Sequence, residues 1–80
     1  MNPKTFLIRQ YLSENQYFKS IKDIDLFTEK LVETYPITDI VNELRQMSLW
    51  LDVNENRRKK RYDRFIVNWL GRNARGEYGK

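Results

Sequence analysis

The chain contains neither cysteine nor histidine. Without cysteine there is no disulfide framework and no thiolate metal site. Without histidine the usual general base, zinc ligand and pH switch are missing together. Glycine occurs three times and proline twice in 80 residues, which argues against a turn-rich β architecture. No apolar run reaches the roughly 18–20 residues needed to cross a bilayer. The start of the chain, Met1 to Phe6, lacks the apolar core and small-residue cleavage site of a signal peptide. A cytoplasmic protein (in a bacterium or phage-infected host cell), with no membrane partner and no cofactor, is expected.

Aromatics are plentiful: four Phe, five Tyr and two Trp. Each can remove roughly 150–250 Å² from water, so a chain this short can still build a core. Net charge is +4 and unevenly spread. Residues 1–40 carry five Lys/Arg against six Asp/Glu, whereas residues 41–80 carry ten against five. That asymmetry points to nucleic acid or another acidic partner.

Apolar spacing is helical nearly throughout. A first helix is predicted from Pro3 to Ser13, with Asn2 as its cap. Tyr17, Phe18 and Ile21 form an apolar patch that either extends this helix or makes a short turn. A second helix runs from Asp23 or Ile24 to Thr34, capped by Asp23 and ended by Pro36. In a third, Thr38 caps a stripe of Ile40, Val41, Leu44, Met47, Ser48 and Leu51, with Trp50 off its centre. A fourth starts near Asn56, carries Tyr62, Phe65, Ile66, Trp69 and Leu70, and ends at Gly71 to Asn73, with Gly71 as a left-handed terminator. The fold class is therefore all-α: one small domain of about four short helices with a C-terminal helical hairpin. Residues 1–73 form the compact domain and residues 74–80 a flexible basic tail.

Residues 57–64 hold six cations in eight positions. As the start of the fourth helix, this run crowds positive charge onto the positive end of the helix dipole, which costs about 0.3–1 kcal/mol per charge. A feature that folding would not choose is a candidate for function, with a polyanion as partner. At about 100° per residue, Arg57, Lys60, Arg64 and Arg75 project opposite the apolar stripe. Arg61, Asn68 and Arg72 lie on one flank of that outer face, and Arg58 and Lys59 point toward the core side. The expected nucleic-acid contacts are Arg57, Arg58, Lys59, Lys60, Arg61, Arg64 and Arg72 to phosphate, and Asn68 to a base edge. Trp50 and Trp69 beside these cations would suit stacking on unpaired bases. Trp69 falls on the apolar stripe and is expected in the core, whereas Trp50 could serve core or surface.

No enzyme is expected. Asp23 and Asp25 sit at a helix start and Asp52 and Glu55 at a helix end, where capping and turn formation account for them. No phosphate loop, nucleophile motif or metal spacing occurs.

The segment Trp50-Leu51-Asp52-Val53-Asn54, followed by the basic run and Arg64-Phe65-Ile66-Val67-Asn68-Trp69-Leu70, resembles the helical C-terminal segment of bacteriophage and mobile-element replication proteins. These include replisome organisers, initiators and helicase-loader-like proteins. The match covers about 25 residues, and the larger DNA-binding or ATPase region usual in that family has no counterpart in residues 1–49. The resemblance implies a DNA-binding accessory role in replication. The alternative is a protein-interaction adaptor for a helicase or other replisome component, anchored by Trp50, Tyr17, Phe18 and Tyr35.

Overall fold

The computed structural model describes residues 3–57 and 59–74, with side chains through Arg72. It is a small all-α domain. Four α-helices follow one another: α1 (Pro3–Glu14), α2 (Ile24–Thr34), α3 (Ile40–Val53) and α4 (Tyr62–Ala74). Two single-turn 3₁₀ segments, Phe18–Ser20 and Glu55–Arg57, lie between them. Among the described residues no helix is long and apolar enough to cross a membrane. The proposed caps and charges at Asn2, Arg58 and Arg75, and the tail beyond Ala74, lie outside the described residues.

After α1 the chain turns on Asn15. Its side-chain carbonyl accepts the backbone N–H of Tyr17 at 2.9 Å and of Phe18 at 3.3 Å, the side-chain turn typical of Asn. Its amide donates to Ser48 Oγ on α3 at 2.7 Å. The Tyr17 hydroxyl donates to Asp52. Tyr17 and Phe18 are thereby turned inward as a 3₁₀ corner rather than a helix extension. Both are buried, and both rings meet Tyr62 of α4 with centroids 6.0 Å apart.

Asp23 caps α2 as expected, accepting the N–H of Leu26 at 3.2 Å from a left-handed backbone with φ of 52°. The cap of α3 is Asp39 rather than Thr38: its carboxylate reaches the Asn42 N–H at 3.3 Å. Carboxylate beats hydroxyl here because it also complements the helix dipole. Asn54 stops α3 by sending both its backbone N–H (2.9 Å) and its side-chain amide (2.8 Å) to the Trp50 carbonyl.

The core draws on every helix and on the Tyr17–Phe18 corner: Ile8 and Leu12, Leu31, then Ile40, Leu44, Met47 and Leu51, and finally Ile66 and Leu70. α3 lies centrally, contacting both α1 and α4. The pairs Trp50–Phe65 and Glu43–Trp69 set α3 and α4 as the antiparallel hairpin the sequence leads one to expect. Gly71 lies inside α4, not beyond its end. The helix continues to Ala74, and Gly71 passes the hydroxyl of Tyr35, which a Cβ would meet at 3.6 Å.

Candidate nucleic-acid interface

The basic run is not the first turn of α4. Residues 59–61 are irregular, Arg57 closes the 3₁₀ turn, and the helix begins at Tyr62. The outer helical ridge expected of Arg57, Lys60 and Arg61 therefore does not form as a helix face. The physical reason is the conflict noted above. A helix from Asn56 would stack like charges at i, i+3 and i+4 on the positive end of its dipole. Starting at Tyr62 puts Asp63 in the first turn instead, where its carboxylate accepts the Arg64 N–H at 2.9 Å. The first backbone bond, from the Phe65 N–H to the Arg61 carbonyl, is 3.2 Å.

What remains of the ridge on α4 is Arg64, Asn68 and Arg72, spaced four apart and all exposed. Arg57, Lys59 and Lys60 are exposed on the connecting segment. Arg61 is engaged by Asp63 through two hydrogen bonds, Nε–Oδ1 at 3.0 Å and Nη2–Oδ2 at 2.7 Å. That bidentate contact holds the Asp63 carboxyl below the usual carboxylate range and raises Arg61 further. Arg61, expected to meet phosphate, is thus held by an internal carboxylate partner.

The connecting segment runs between two clefts. One, of about 360 Å³, lies between the segment and the 3₁₀ corner and is lined by Lys22, Lys60, Arg61 and Tyr62 among others. The other, of about 340 Å³, lies between α3 and α4. Its walls are the half-buried rings of Trp50, Phe65 and Trp69, and its polar lining is Arg57, Lys59, Asn68 and Arg72. The rings form a run: Trp50 to Phe65 at 5.7 Å and 33°, Phe65 to Trp69 at 5.8 Å and 64°. The Lys59 ammonium lies 5.6 Å from the centroids of both Trp50 and Phe65, within cation–π range. Lys59 leans inward onto these aromatic faces. Trp69 is oriented by its indole N–H, which donates to Glu43 Oε1 at 2.9 Å.

The sequence names the cations and sets Trp50 and Trp69 beside them, but it does not bring Phe65 into one wall with Trp50. Trp50 and Phe65 sit on different helices, 15 positions apart, and only their 5.7 Å approach makes one surface of them. The available signal was Trp50 itself, an aromatic off the apolar stripe of its helix.

The adaptor's expected aromatic anchors are not assembled. Tyr17 and Phe18 are core, and Tyr35 is half-buried. A different apolar surface exists in a groove of about 690 Å³ between α1 and the start of α3, where Leu7 is 53% and Ile37 97% exposed. Comparison of the chain with protein-family models, with curated proteins and with solved structures finds no match.

Proposed function

We propose that the domain binds DNA as an accessory in phage-type or mobile-element replication, through the basic 57–61 segment and the exposed face of α4. The observation that carries this reading is the concentration of exposed cations on one connection and the helix after it: Arg57, Lys59, Lys60, Arg64 and Arg72. Asp63, beside them in sequence, is taken by Arg61, and Glu43 accepts the Trp69 indole N–H. Cations on an irregular segment and cations spaced along a helix can both follow a phosphate backbone. The replication context rests on the resemblance of residues 50–72. The test is a titration with labelled DNA at two salt concentrations, comparing the parent with Lys60→Glu/Arg64→Glu. Salt-sensitive binding that the double variant largely loses is the expected outcome.

A second reading, an adaptor for a helicase or other replisome protein, is favoured by the α1–α3 groove with its exposed Leu7 and Ile37. Retention of a specific replisome protein after nuclease treatment would select it.

A further inference from the structure

We infer that the α3–α4 cleft is a stacking site for an unpaired base, so that the domain selects single-stranded over duplex nucleic acid. This rests on the DNA-binding reading above and adds the strand type to it. The cleft joins the two chemistries a nucleotide presents. Trp50 and Phe65 supply aromatic faces, and Arg57, Lys59 and Arg72 supply positive charge at the same opening. Its volume falls within the range of clefts that hold small flat ligands, roughly 300–1,000 Å³.

Lys59 is the informative residue. Its side chain is exposed, yet its ammonium lies over Trp50 and Phe65. A solvent-exposed cation reaches those ring faces only because helix packing leaves them open. The aromatic quadrupole that attracts the ammonium is also a face on which any base can stack. A base entering the cleft displaces the ammonium from the rings, and the released charge faces the adjoining phosphate. Trp69 is fixed by Glu43 and completes the wall. Asn68 lines the same opening with both a donor and an acceptor for a base edge. In a duplex the bases are paired and stacked on each other, so no base face is offered and the cleft stays unfilled.

The test compares three probes at one salt concentration by fluorescence anisotropy. They are an oligothymidylate of about a dozen nucleotides, within the span of small single-strand sites, an abasic phosphodiester of equal length, and the corresponding duplex. The wild-type protein should bind oligothymidylate about tenfold more tightly than the abasic strand, with quenching of tryptophan fluorescence. It should also prefer oligothymidylate to the duplex. Trp50→Ala should erase the gap between the two strands. Equal binding of thymidylate and abasic strands, or tighter binding of the duplex, overturns the stacking site and leaves phosphate binding intact. No binding to any probe overturns the DNA-binding reading, and this inference with it. The abasic comparison uses the unmodified protein, so it decides the matter even if Trp50→Ala does not fold.

Discussion

Reversing the charge at Lys60 and Arg64 separates binding from folding. Among the described residues, and setting aside Arg61 in its pair with Asp63, the exposed cations on the connecting segment and α4 are five: Arg57, Lys59, Lys60, Arg64 and Arg72. If each neutralises one phosphate of a duplex, the log–log salt slope is about −4.5, and affinity falls about 500-fold between roughly 50 and 200 mM salt. Removing two contacts brings the slope to about −2.7 and the fall to about 40-fold. At about 100 mM salt, measured against a 1 M reference, each lost contact removes about 1.2 kcal/mol of counterion release. Two together weaken binding about 60-fold, before the repulsion that glutamates add.

Folding should move the other way. Neither side chain is in the core, and Arg64 occupies the first turn of α4. A glutamate there is favoured by the helix dipole by about 0.3–1 kcal/mol. Lys60→Glu/Arg64→Glu should therefore melt no lower than the parent by circular dichroism, while an anisotropy titration shows the weakened binding and the shallower slope. If the double variant binds as tightly as the parent at about 100 mM salt, or keeps the full slope, phosphate contact through these cations is wrong.

Gly71→Ala should raise stability by about 0.5–1 kcal/mol, because position 71 is helical and the new Cβ meets Tyr35 at ordinary contact distance. A lower melting temperature would show that the α4–Tyr35 contact cannot accept a methyl group. Phe18→Ala removes a fully buried ring against Tyr17 and Tyr62 and should cost about 3–5 kcal/mol. In a domain of this size that loss should appear as a large drop in the urea midpoint. The Asp63 carboxyl is depressed by Arg61, so its pair stabilises the fold above the unfolded carboxyl pKa of about 3.9 and loses that contribution as pH falls through the lower folded value. The stability gap between the parent and Asp63→Asn, small because the pair is largely exposed, should hold from neutral pH to about pH 4 and close below it. A gap that widens in acid would contradict the assignment.

Local signals were the ones that could be read from the chain. Asp23 and Pro36 bracket α2 as the structure has it, and the 3–4 spacing of Ile40, Leu44, Met47 and Leu51 names the buried face of α3. Periodicity at 62–70 says nothing about the residues before it, so a start near Asn56 is too early for α4. The run's clash with the helix dipole, read as a cost accepted for function, is instead a reason the run is not helical. Gly71 has the composition of a terminator, but it lies beside the buried Leu70 and is carried along by packing. Tyr17 and Phe18 could not be placed because their inward turn depends on Asn15, Ser48 and Asp52, whose partnership spans more than 30 positions. The aromatic cleft is hidden from sequence for a similar reason, since Trp50 and Phe65 become neighbours only when α3 and α4 dock.

The corner before α2 narrows what descent can do with one position. Asp23 both takes a left-handed backbone and supplies the oxygen that caps Leu26. Glycine meets the first demand without the second, and serine or threonine the second at a steric cost in the first. Asparagine alone meets both as aspartate does. Among related chains, this site should alternate between two letters. Its exposed neighbour Lys22 should drift through most of the alphabet. A two-letter column followed by an apolar residue would then mark the beginning of α2 in sequences too divergent to align by their cores.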